Sequence, residues 1–109
     1  MNRQVRERRQ ARREIGELVA FIRRDSTDAA LRFLDALEET YDGLRMFPLS
    51  GREWDPDHPG LRGIRKVAIR GFPNHLIFYR IADDGSIEIV RVLHGARDLD
   101  AALDETEPP

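Results

Sequence analysis

No cysteine occurs anywhere in the 109 residues. That excludes a disulfide framework and a thiolate metal site, and it fits a reducing cytoplasm. Lysine is nearly absent as well: Lys66 is the only one, so the basic charge is almost all guanidinium. No apolar run approaches the roughly 20 residues that a membrane-crossing helix needs, and no membrane role is expected. The N-terminal MNRQVRERRQARRE has no apolar core segment and does not read as a secretory signal. Metal chemistry finds no pattern either. His58, His75 and His94 share no ligand spacing, and no HxxxH occurs. Gly60 and Gly63 are not followed by the GK[ST] of a phosphate loop, so no cofactor is expected.

What remains is 40 % apolar and 35 % charged, the balance of a globular chain with a heavily charged surface. The length suits one domain over residues 1–109. The net charge of −2 is unevenly spread. Residues 1–24 hold eight arginines against three glutamates, residues 61–70 hold four bases and no acid, and residues 98–109 hold five acids and no base. Such a distribution suggests local docking surfaces rather than bulk nucleic-acid affinity.

Ala11, Ile15, Leu18, Val19 and Ile22 recur at helical spacing and predict a helix over 9–24. Ser26 or Thr27 can cap a second helix, with Asp28 complementing the dipole of its first turn. Its stripe is Ala30, Phe33, Leu34, Leu37, Tyr41 and Leu44, and Pro48 and Gly51 end it. Two such helices joined by a short polar turn should pack as an antiparallel hairpin. Residues 48–60, PLSGREWDPDHPG, are turn chemistry, with Trp54 plugging the edge of the core. The period then changes to 2. Strands are predicted near 62–70, 75–82 and 86–93, joined by Gly71-Phe72-Pro73-Asn74 and by Asp83-Asp84-Gly85. They form a three-strand antiparallel meander. Residues 2–7 offer a weak N-terminal edge strand, 98–103 a short C-terminal helix, and 107–109 a frayed end. The fold class is α+β. The later strands are apolar on both faces, whereas one hairpin covers only one, so the 98–103 helix could cover part of the second and a partner protein the rest.

The strand IEIVRVLH runs straight into Gly95-Ala96-Arg97-Asp98. Strict alternation puts Ile87, Ile89, Arg91 and Leu93 on one face and Glu88, Val90, Val92 and His94 on the other. Tyr79 and Arg80 come from the neighbouring strand, and Arg62, Arg65 and Lys66 from the first. Such a cluster can hold a phosphodiester: arginines bind the non-bridging oxygens while His94 or Tyr79 moves a proton. The plainer alternative is structural. Arg91 and Arg80 would pair with Glu88 or helix acids, Tyr79 would be a core aromatic with its hydroxyl at the rim, and His94 a hydrogen-bonded surface group.

Taken in order, the helical hairpin, P-L-S-G-R at 48–52, P-G-L-R at 59–62, N-H-L-I-F-Y-R at 74–80 and I-E-I-V-R-V-L-H-G-A-R-D at 87–98 resemble the RelE/ParE superfamily of bacterial toxins, and its ParE branch in particular. The likeness spans about residues 8–98. It implies a helical hairpin on a small antiparallel sheet. It also implies a cytoplasmic toxin of a type II toxin–antitoxin system, held in a hetero-oligomer with a cognate antitoxin whose extended segment lies in a groove and could cover the open sheet face. ParE-like members are associated with inhibition of DNA gyrase, RelE-like members with ribosome-dependent mRNA cleavage. RelE-like nucleases are usually strongly basic and carry a tyrosine or histidine close to the C-terminus. Here the last twelve residues are acidic and hold neither. The expectation is a protein-binding toxin, with Arg62, Tyr79, Arg80, Arg91, His94 and Arg97 as candidates for binding antitoxin or target. The nuclease alternative would use Arg62, Arg65, Arg91, His94 and Arg97. One departure is the first strand, apolar in the family but here mostly polar.

Overall fold

A computed structural model describes residues 3–54 and 61–109. The elements are β1 (Val5–Glu7), α1 (Arg9–Asp25), α2 (Thr27–Met46), β2 (Arg52–Glu53), β3 (Arg65–Ile69), β4 (Phe72–Ile81), β5 (Ile87–His94) and α3 (Leu99–Asp104). The sheet order is β1-β5-β4-β3-β2, with β1 parallel to β5 and every other pair antiparallel.

A single residue makes the turn of the hairpin. The Ser26 N–H closes α1 on the Ile22 carbonyl, and its hydroxyl oxygen accepts the Ala29 N–H at 3.0 Å to cap α2. Arg23 and Arg24 end α1 and Asp28 opens α2, so at this turn the C-terminal end of one dipole and the N-terminal end of the other are complemented. The hairpin lays Ala11, Ile15, Phe33, Leu37, Tyr41 and Leu44 on one face of the sheet, against Ile77, Tyr79, Ile87, Ile89 and Val92. Gly85 supplies the positive φ (84°) of the β4–β5 turn.

The structure departs from the sequence pattern in five places. The C-terminal helix covers part of the second sheet face as expected, but the rest is not left for a partner: α3 lays Ala102 and Leu103 on Phe78, Val90 and Leu93, and Leu61, Ile64 and Trp54 complete the cover. Phe78 and Val90 are wholly buried and Leu93 is 2 % exposed, so the chain closes this face itself. Strict alternation along β5 fails at Val90. Phe78 pairs with Arg91 while the next residue, Tyr79, pairs with Ile89, which leaves Val90 as an extra residue. Arg91 and Leu93 therefore lie on the α3 face, opposite Ile87 and Ile89. Within the expected turn over 48–60, Arg52–Glu53 form an edge strand on β3; residues 55–60 lie outside the described residues. The turn expected at 71–74 is shorter, because β4 starts at Phe72 and a register shift near Ile69 absorbs the slack. Finally, the C-terminal end is held at Glu107. The Glu107 N–H donates to Gln10 Oε1 at 2.7 Å, and the Glu107 carboxylate pairs with Arg13.

Candidate functional site

The sheet divides the basic residues that the sequence grouped together. Arg65 and Tyr79 are register partners, and Tyr79 lies in the core under the hairpin. The Tyr79 hydroxyl donates to the Pro48 carbonyl at 2.7 Å and accepts the Gly51 N–H at 2.8 Å. Arg65 donates to the Gly51 carbonyl at 2.8 Å and lies 3.6 Å from Glu53. Both side chains therefore fasten the segment leaving α2 to the sheet. Burial holds the Tyr79 phenol above its ordinary pKa, opposed by the Gly51 N–H and by Arg65. It is neutral at pH 7 and is no base.

Arg91 lies on the α3 face and is 2 % exposed. Its Nε is 3.0 Å from both oxygens of Glu14 and its Nη2 is 2.6 Å from Oε2, a bidentate pair. Nη1 donates to the Ala102 carbonyl and, at 3.0 Å, to Thr106 Oγ1. Glu14 also accepts the Val92 N–H at 3.1 Å. One guanidinium thus joins α1, β5 and the C-terminal segment. This bears out the structural alternative, a helix acid as partner of Arg91, although the sequence did not single out Glu14; an acid within the stripe Ala11, Ile15, Leu18 signals a buried counter-charge.

Arg80 lies 3.5 Å from Glu88, which also takes a bond from Arg8 at 2.8 Å. Arg62 is exposed in the turn before β3. His94 and Arg97 adjoin each other at the open end of β5, in a cleft of about 130 Å³ with Glu14, Glu17 and Leu18. The Ala96 N–H donates to His94 Nδ1 at 3.0 Å, so a neutral ring carries its proton on Nε2. His75 is its register partner and packs edge-on at a centroid distance of 4.9 Å. His75 Nδ1 is buried with no hydrogen-bond partner among the described residues. Burial first, and then His94, hold its pKa below the ordinary value. His94 pairs opposite His75 and Arg65 opposite Tyr79, four residues along β4 or roughly 13 Å. The cleft at His94 and Arg97 is lined by none of Arg62, Arg65, Tyr79, Arg80 and Arg91.

A larger concavity, about 530 Å³, lies between the second half of α2 and β3. Gly43, Leu44, Met46 and Phe47 form one wall, Val67 and Ala68 the other, and Glu39, Asp42 and Arg70 its rim. Beside it Met46, Phe47 and Leu49 are 73 %, 64 % and 64 % exposed. The sequence carries a signal for it: the apolar Met46-Phe47 and Leu49 continue past Leu44, where the buried stripe ends.

Comparison with known proteins follows the same fold. The family model described as the ParE toxin of the type II toxin–antitoxin system parDE matches residues 5–99. Toxin ParE1 of Mycobacterium tuberculosis is 34 % identical over 76 residues, covering 70 % of this chain and 71 % of that protein. Among solved structures, a chain of the chromosomal ParDE system of P. aeruginosa superposes with a TM-score of 0.65 at 15 % identity, over 84 % of this chain and 95 % of that one. A chain of the M. tuberculosis toxin–antitoxin complex RelBE2 gives 0.60 at 24 % identity, over 86 % and 99 %. At those identities the two structures support the fold. The match over nearly the whole chain and the ParE1 relative go further: the chain belongs to the ParE toxin family of type II toxin–antitoxin systems.

Proposed function

We propose that this chain is a cytoplasmic toxin that is neutralised by a cognate antitoxin and, when free, arrests DNA gyrase by binding it. The observation that carries the reading is the internal use of the arginines. Cleaving a phosphodiester needs guanidinium groups free to hold its oxygens. Arg91 is buried against Glu14 and the Ala102 carbonyl, and Arg65 is bonded to the Gly51 carbonyl. The net charge of −2 also gives little attraction for ribosomal RNA. The test is induction of the chain alone in a bacterium, with DNA and protein synthesis pulse-labelled in parallel. Double-strand breaks while translation still runs are expected; arrested translation over an intact chromosome sinks the reading.

A second reading, a ribosome-dependent mRNA endonuclease, rests on His94 and Arg97, which adjoin each other at an open cleft. It requires that His94→Ala and Arg97→Ala abolish toxicity while antitoxin binding survives. The gyrase reading takes both variants to remain folded and toxic.

A further inference from the structure

We propose that the outward face of the helical hairpin pairs with the same face of a second copy of this chain, in a two-fold dimer that lays α1 of each copy along α2 of the other. The inference is independent of the cellular target. Charge carries it first. The exposed residues of α1 include five arginines (Arg9, Arg12, Arg13, Arg23 and Arg24) against Glu17 and Asp25. Those of α2 include five acids (Asp28, Asp35, Glu38, Glu39 and Asp42) against Arg32. The two rows do not neutralise each other across the hairpin. Where their members pair, the partners lie elsewhere: Arg12 with Glu7, Arg13 with Glu107 and Asp42 with Arg45. Arg9, Arg23, Asp35, Glu38 and Glu39 form no ion pair among the described residues. A polyanion such as nucleic acid fits this face badly, because the acid row lies beside the basic one.

A second copy matches both rows at once, and the charges choose its orientation. A two-fold axis across the helices would set α1 on α1 and α2 on α2, like charge on like. An axis along the helices, between α1 and α2, sets each α1 antiparallel on the other copy's α2 and keeps the two hairpin turns at one end. Ser26 is the turn, so positions equally far from it on the two helices share a level. Arg9 and Arg13 of one copy then come level with the stretch Glu38, Glu39, Asp42 of the other, and Arg23 and Arg24 with Asp28. The middle of the seam is apolar. Leu31 and Leu34 are 57 % and 38 % exposed there, level with Gly16 and Ala20. Gly16 leaves room for them: a Cβ added to it meets nothing within 4 Å. The face is about 25 Å long and 20 Å wide, or about 500 Å² per copy, from the helix rise and the spacing of packed helices. That lies at the lower limit of specific interfaces, so the dimer forms at micromolar rather than nanomolar concentration.

The test is sedimentation equilibrium of the full chain, made by cell-free synthesis, over about 1 μM to 1 mM at low salt. The wild type should pass from the mass of one chain to that of two. Leu31→Arg, a change at an exposed position, should stay single throughout. Arg9→Glu and Glu39→Arg each turn an attraction into a repulsion at two symmetric places, and each should weaken the dimer by about tenfold. The double variant Arg9→Glu with Glu39→Arg exchanges the two charges and should recover the wild-type affinity. Circular dichroism melting of each variant checks that it is folded. A wild type that stays single over the whole range overturns the proposal. So does a dimer whose affinity none of the variants changes, since another surface then joins the copies. Single variants that weaken the dimer without recovery in the double overturn the pairing of the rows. Growth beyond two chains also overturns it, because a two-fold contact closes on itself. A single wild-type chain whose binding to antitoxin falls in Leu31→Arg gives the face to the antitoxin instead.

Discussion

Replacing Glu14 by glutamine keeps the side chain's length and removes its charge. The consequence follows from what Glu14 touches. Arg91 is 2 % exposed, and Glu14 supplies the carboxylate that pairs with it; the Ala102 carbonyl and Thr106 are neutral. In Glu14→Gln the guanidinium stays buried without that counter-ion. Removing one member of a buried pair costs about 3–5 kcal/mol. For a chain of this size that lowers Tm by about 12–20 °C, at about 4 °C per kcal/mol. The double variant Glu14→Gln with Arg91→Met leaves neither charge of the pair buried, and the introduced amide oxygen can still accept the Val92 N–H. Only the bonds to Ala102 and Thr106 are then missing, so the double variant should lose about 1–2 kcal/mol, less than Glu14→Gln alone. The assay is urea unfolding followed by Trp54 fluorescence. Trp54 is the sole tryptophan and packs edge-on against Phe78 at 5.5 Å, within the cluster that α3 covers. A loss below about 1 kcal/mol in Glu14→Gln, or a double variant equal to the sum of the singles, refutes the coupling. Arg91 would then have to be free to serve a surface.

Two further effects follow from close contacts. A Cβ at Gly51 would sit 2.5 Å from the Tyr79 hydroxyl oxygen and 2.6 Å from Cε1, and Tyr79 is wholly buried with both hydroxyl bonds fixed. Gly51→Ala should therefore cost about 1–3 kcal/mol by overpacking, read as a lower urea midpoint, and an unchanged midpoint would show that the ring can yield. His75 sets a pH dependence. Its folded-state pKa is held below 6.5, so as pH falls the unfolded chain takes up the proton first. Stability is full above pH 6.5 and is lost as pH drops from there through the lowered folded value. The ring already packs edge-on against Phe33 and Phe72, so His75→Phe should fit and flatten that slope between about pH 7.5 and 5. Equal slopes in wild type and variant would show that another group carries it.

The helices were legible because each has one apolar stripe and Ser26 is a cap in its own right; the meander was legible because its period is 2 and Gly85 marks its turn. The charged site was harder to read, for a reason that one residue explains. Period-2 counting assumes an unbroken ladder, and Ile87-Glu88-Ile89-Val90-Arg91 gives no sign of a break, since a bulge needs only one extra residue and no special side chain at Val90. Before the bulge, counting places residues correctly; after it, every side chain is on the opposite face. Arg91 was thereby grouped on one face with Ile87 and Ile89, when it lies on the opposite face with Glu14 and the C-terminal segment as partners. The bulge also explains how β5 can be apolar on both faces and still carry an arginine. It turns Arg91 towards the edge of the α3 layer, where α1 presents a carboxylate and the C-terminal segment a carbonyl and a hydroxyl. The groove was hidden differently. β2 is only two residues long and lies in a segment that reads as turn chemistry, so where it stops could not be seen in the sequence. Yet the length of β2 decides whether Ala68 is paired or open. An unmarked extra residue in β5 thus withdraws one apparent site into the interior, and the two residues of β2 leave the main chain of Ala68 open at the sheet edge.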